Sequence, residues 1–171
     1  MFFHEALHGI TGQGDKNLQA VFGYQTSDPS SVITKAAPTA IVASNDAIAG
    51  GAIQALEDKG WSGRVLVSGQ DADLAAIERI FDGSQLMTVY KPVGKEARTA
   101  AEAAMKLARH EDMESRAEVP NGTLTTKAIL LTPICVTQEN AKQTVLKDGF
   151  QKLEIVRQGL PIDKQAQLDK P

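Results

Sequence analysis

Three short apolar runs, each closed by polar residues, constrain this chain more than any other feature in it. Ala40-Ile-Val-Ala-Ser leads into Asn45-Asp46 and Gly50-Gly51, Val65-Leu-Val-Ser leads into Gly69-Gln70-Asp71-Ala72-Asp73, and Met87-Thr-Val-Tyr leads into Lys91-Pro92. The first two runs pass directly into helical periodicity and a further run follows each. That is the sequence form of a βαβαβ unit with a parallel sheet. The expected fold class is α/β with a doubly wound, mostly parallel sheet. Sheets of this kind bind ligands outside the carboxyl ends of their strands, and those ends carry Asn45, Asp71 and Lys91.

An amide donates and accepts, a carboxylate only accepts, and an ammonium only donates. Asn45, Asp71 and Lys91 together therefore complement hydroxyl groups used in both directions, as on a sugar ring. The set is unreactive toward such a ring, which favours reversible binding over catalysis. Each position also has a plainer reading. Asn45 or Asp46 can cap the helix that follows, and Asp71 or Asp73 the next one. Asp46 and Asp73 are the better caps, Gln70 is a secondary candidate beside Asp71, and Lys91 can be an exposed charge at a strand end.

Along the chain, strands are predicted at Ala40–Ser44, Val65–Val67 and Gln85–Tyr90. The first helix puts Ala49, Ile53 and Leu56 on one face and stops at Gly60, and the second places Leu74, Ile77 and Phe81 at helical spacing before Asp82-Gly83. A longer helix, Gly94 to Arg109, carries a stripe of Ala97, Ala100, Ala101, Ala104, Met105 and Ala108, which permits close packing against another element. A polar stretch from Glu111 to Thr126 separates it from a last strand at Ala128 to Val136, and a short helix follows at Asn140 to Asp148. Residues 1–37 are the least regular, with a short helix near the start, a strand at Gln19 to Tyr24 and a helix from Pro29 to Lys35. The division expected is a segment 1–37, a lobe 38–150, and a polar tail 151–171 that is loosely held.

At 171 residues the chain is long enough for one ordinary domain that needs neither disulfide nor metal. A net charge of −3, with Lys and Arg scattered, gives no basic field for nucleic acid. Cys135 is the single cysteine, so no internal disulfide forms. Charged residues and glycines break every apolar stretch well short of a membrane span of about 18 residues. Met1-Phe-Phe-His-Glu has none of the parts of a secretion signal, so the chain as written is expected to remain in the cytoplasm. No cofactor is expected.

The segment Ala43-Ser-Asn-Asp-Ala-Ile-Ala-Gly-Gly-Ala-Ile-Gln-Ala-Leu, with Ser68-Gly-Gln-Asp-Ala-Asp and Met87-Thr-Val-Tyr-Lys-Pro, resembles the xylose-binding branch of the type I periplasmic binding proteins, the sugar receptors of bacterial ABC importers. The resemblance is dense from about residue 38 to 95 and thinner through Leu130-Leu-Thr-Pro-Ile to Lys147-Asp-Gly-Phe150. It implies one Rossmann-like lobe, the carboxy-terminal one, of a two-lobed fold. Hinge segments then fall near 90–92 and 126–131, and Asn45, Asp71 and Lys91 on sugar-contacting positions. It further implies a monosaccharide ligand, an ABC permease as partner and a periplasmic location. The first lobe has no counterpart, so a truncated or half-receptor form is expected, needing a complementary lobe or self-association for a full clamp.

Two rivals stand beside this reading. LacI-type regulators share the fold and similar Asn-Asp and Gly-x-Asp strings, but no helix-turn-helix precedes the core and the acidic balance offers no DNA surface. His4-Glu5-Ala6-Leu7-His8 fits the H-E-x-x-H pattern, in which His4 and His8 would hold zinc and Glu5 act as general base. His110 is the one remaining histidine and has no supporting pattern, so metal chemistry is not expected. Gly9 to Gly14 misses the spacing of the phosphate-binding loops.

Overall fold

The computed structural model describes residues 37–113, 115 and 117–169. The elements expected before residue 37, the His4 to His8 motif and the Gly9 to Gly14 stretch lie outside the described residues. The chain forms two compact units, one from Met1–Tyr90 with Cys135–Pro171 and the other from Lys91–Ile134.

In the first unit, β1 (Ala40–Val42), β2 (Leu66–Gln70) and β3 (Met87–Tyr90) are joined by α1 (Asp46–Glu57) and α2 (Leu74–Asp82). The strands run parallel, with Ile41 opposite Val67 and Gly69 opposite Thr88. The sheet order is β1-β2-β3-β6, where β6 is Ile134–Val136. This is the α/β class with a mostly parallel sheet. Both crossovers step the same way along the sheet, so right-handed connection puts α1 and α2 on one face, where they touch each other.

The core follows the apolar periodicity. Ala49, Ile53 and Leu56 of α1 pack with Ile41, Val65 and Val67, and Ile77, Ile80 and Phe81 of α2 are buried. Burial of each large side chain contributes about 1.5–3 kcal/mol. The helix stops are glycines in the left-handed region: Gly60 at φ +67, with Trp61 N–H returning to Leu56 C=O at 2.8 Å, and Gly83 at φ +91.

The stretch from Leu153, expected to be loosely held, is instead helical: α4 (Leu153–Gly159), α5 (Ile162–Gln165) and a 3-10 turn at Ala166–Asp169. Val156, Leu160 and Leu168 are buried there, and α4 touches α2. Four-residue apolar spacing hidden among polar side chains is enough to dock a helix. The helix expected at Asn140 to Asp148 is a single π-helical turn, Lys142–Leu146.

The second unit contains α3 (Val93–Ala108) and an antiparallel hairpin of β4 (Ala117–Pro120) and β5 (Thr125–Ala128). The hairpin occupies most of the stretch read from its polarity as a separator. Gly122 at φ +92, next to Asn121, makes the turn, and Asn-Gly is a strong hairpin signal. The strand expected over Ala128 to Val136 is therefore divided between the end of β5 and β6. Pro133, which cannot donate to a ladder, stands just before the second piece. No residue of α3 is buried, and its alanine stripe is exposed. A groove of about 340 Å³ runs along one edge of that stripe, lined by Thr99, Ala100 and Ala103 with Leu130 and Leu131.

One glycine is fixed by close approach. A Cβ on Gly69 would run into the carboxylate of Asp46 and the amide of Gln85, which fill the space over β2. Gly69→Ala should destabilise the fold by about 1–3 kcal/mol, seen as a lower urea midpoint at unchanged slope. An unchanged midpoint would mean that this cluster yields easily.

Candidate functional site

Asn45 opens α1 from an extended backbone, φ −154 and ψ 175, and its Oδ1 accepts the Ile48 N–H at 2.9 Å. It is the N-cap. Its Nδ2 donors have no partner among the described residues, and the side chain is half-buried. Capping thus fixes the amide plane while leaving the two N–H donors of the amide unused among the described residues.

Asp46, expected to be a cap, does something else. Its backbone is already helical, so its side chain turns into the protein, where it is 1% exposed. Thr88 Oγ1 donates to its two carboxylate oxygens at 2.9 and 2.8 Å, Gln85 Nε2 to Oδ1 at 2.9 Å, and the Asp73 N–H to Oδ2 at 3.1 Å. Arg79 encloses the cluster, giving Nε to Gln85 Oε1 at 2.9 Å and Nη2 to the Asp46 carbonyl at 3.0 Å. Asp73 does cap α2, its Oδ1 accepting the Ala76 N–H at 2.7 Å.

Between β2 and α2 lies a two-residue turn in the left-handed region: Asp71 at φ 104 and Ala72 at φ 55. Neither is glycine, and such backbone costs of order 1–3 kcal/mol per residue unless the surroundings hold it. They do. Asp71 N–H donates to Val89 C=O at 2.9 Å, Ala72 N–H to Thr88 Oγ1 at 3.1 Å, and Gln151 Nε2 to Ala72 C=O at 3.0 Å. The Ala72 methyl is fully buried and the Asp71 side chain is exposed.

Among the expected site residues, Asn45, Gln70 and Asp71 emerge at the same ends of the adjacent parallel strands β1 and β2. Lys91 directly follows β3 as the first residue of the second unit, and is half-buried. Sequence reasoning missed Thr88, Gln85, Arg79 and Gln151, the groups that hold this end of the sheet. A polar side chain at Thr88 inside the apolar run Met87–Tyr90 was the available signal. Close by, Tyr90 packs on Phe150 with ring centroids 5.0 Å apart and donates to Asp148 Oδ2 at 3.3 Å. Burial, and then the Asp148 charge, push its phenol above the ordinary value. Among the described residues no group of His, Cys, Asp and Glu is placed to hold a metal, and no helix is long and apolar enough to cross a membrane.

Comparison with known proteins gives the family. Residues 13–112 match the periplasmic binding protein domain. The chain is 57% identical over 117 residues to the D-xylose-binding periplasmic protein of Haemophilus influenzae, covering 68% of this chain and 35% of that protein. It is 55% identical over 113 residues to the Escherichia coli protein of the same name, covering 66% and 34%. Among solved structures, a carbohydrate transporter solute-binding protein from Chloroflexus aurantiacus in complex with D-glucose aligns with TM-score 0.68 at 28% identity, over 74% of this chain and 39% of that one. The matches thus span about a third of the length of the curated relatives.

Burial raises the Asp46 pKa above the ordinary carboxylate value, against the lowering effect of the Thr88 and Gln85 hydrogen bonds. The folded chain then holds this proton more tightly than the unfolded chain. Its contribution to stability is fully present below the unfolded pKa and is lost as pH rises through the folded one. Asp46→Asn cannot titrate, so the stability of the native chain minus that of Asp46→Asn, measured by urea unfolding, should fall as pH rises from the ordinary Asp pKa toward neutrality. A difference that grows with pH would mean that the hydrogen bonds outweigh burial.

Proposed function

The chain belongs to the periplasmic binding protein domain family, and from that membership we propose that it binds a xylose-like monosaccharide reversibly, without catalysis, as part of the solute-binding component of an ABC importer. The observation that carries the reading is the placing of Asn45 and Asp71 at matching ends of adjacent parallel strands. It occurs in a chain 57% identical to a D-xylose-binding protein over the matched residues. Asn45 offers the amide donors its cap leaves unused, Asp71 offers acceptors and Lys91 offers further donors. The sugar complex of the Chloroflexus aurantiacus relative supports a monosaccharide as the ligand class. A periplasmic location and an ABC permease as partner follow from the same membership. We read 90–92 and 126–131 as hinge segments.

The matched portion is 35% of the Haemophilus influenzae relative, and the residues proposed as ligand contacts all lie within the stretch that matches the family domain. A sugar held from one side loses contacts and exclusion of water together. Taken alone, this chain should bind D-xylose in the millimolar range.

The test is a titration of the isotope-labelled chain with D-xylose followed by amide chemical shifts, with D-ribose in parallel. Saturable millimolar shifts should centre on Asn45 and Asp71. Asp71→Ala should weaken binding about tenfold to a hundredfold, as expected when a charge-assisted hydrogen bond is lost, while the chain still folds. Absence of saturable shifts with either sugar would overturn the reading, and an unfolded Asp71→Ala would assign Asp71 to structure.

A further inference from the structure

We propose that Thr88 and Gln151 are positioning residues that grip Ala72 through the two peptide groups flanking it and so hold Asp71 where it can meet a ligand hydroxyl. This inference rests on the sugar-binding reading above. The Ala72 N–H is bonded to Thr88 Oγ1 at 3.1 Å, and the Ala72 carbonyl receives Gln151 Nε2 at 3.0 Å. The two grips come from far apart in the chain, one from β3 and one from the segment before α4. Both close on a backbone that Asp71 and Ala72 do not adopt by preference, at φ 104 and 55.

The direction of the Thr88 bonds is fixed by its partners. Ala72 N–H can only donate, so the Thr88 oxygen accepts there and its own proton is left for Asp46, whose carboxylate oxygens lie at 2.9 and 2.8 Å. Asp46 also receives the Asp73 N–H at 3.1 Å, the other half of the peptide whose carbonyl Gln151 holds. The carboxylate at the start of α1 therefore orients the hydroxyl that orients the turn carrying Asp71. Asn45, the other ligand candidate in this unit, is the residue before that carboxylate. One buried group thereby sets the relative placing of both.

Three substitutions separate positioning from packing. Thr88→Val keeps the shape and removes the hydroxyl, Thr88→Ser keeps the hydroxyl, and Gln151→Leu removes the second grip from a half-buried position outside the core. In the full chain, Thr88→Val and Gln151→Leu should each raise the D-xylose dissociation constant about tenfold, the loss of one ordering hydrogen bond. Hydrogen-exchange protection of the Ala72 amide should fall in Thr88→Val alone, because only that variant frees the N–H. Thr88→Ser should restore both readouts.

Folded Thr88→Val and Gln151→Leu chains that keep the wild-type dissociation constant would overturn positioning and leave sugar binding standing. If Thr88→Val fails to fold, Gln151→Leu alone decides. If the unmodified chain shows no saturable response to D-xylose, the functional reading fails with it. Retained Ala72 exchange protection in folded Thr88→Val would then remove the grip itself.

Discussion

The Asp46 carboxylate is the constraint around which this lobe is assembled. A buried carboxylate is costly unless every lone-pair direction is met, and here the donors come from β3 through Thr88, from the α2–β3 turn through Gln85, and from the start of α2 through the Asp73 N–H. The group also dictates its surroundings. Gly69 can carry no side chain because the carboxylate occupies that space. Arg79 reaches from α2 to the start of α1 to bond the Asp46 carbonyl at 3.0 Å. The first helix, the two central strands and the second helix thus meet at one ionisable group.

The cap reading and the ligand reading of Asn45 are compatible because they use different atoms. Its carbonyl oxygen closes the helix end, and the amide nitrogen is held in a set plane by that same bond. Asp71 and Asp73 divide the corresponding duties between two residues: Asp73 caps α2, and Asp71 stands in the left-handed turn before it with its side chain exposed. The alternative between cap and site, posed residue by residue from sequence, is settled for the caps by geometry, while the ligand role remains the proposal.

Much of this was legible in the amino-acid sequence, for identifiable reasons. The apolar runs at Ala40, Val65 and Met87 and the glycine stops at Gly60 and Gly83 are local signals, and they placed the strands and the two crossover helices. Asp46 was misjudged because a carboxylate at the first helical position looks like a cap. Only the register that puts Thr88 opposite Gly69 reveals that it points into the sheet. Gln151 lies 79 residues from the peptide it holds, and no periodicity reports such a contact. The Asn121-Gly122 hairpin and the Val156–Leu160 spacing were local signals after all, masked by the polar side chains around them.

The distribution of strain in the lobe bears on how this unit would meet a ligand. The turn at Asp71 and Ala72 is held by hydrogen bonds that all originate within the same compact unit. Its unfavourable backbone is therefore offset when this unit folds, not when a ligand arrives. Ordering of loops is one of the main costs of association, and for the backbone of this turn it has already been met. What a ligand bound to this unit alone would miss is enclosure: contacts from the opposite side, and the exclusion of water that strengthens each charged hydrogen bond. A second surface would then raise affinity by enclosing the proposed ligand contacts, without reshaping the Asp71 turn.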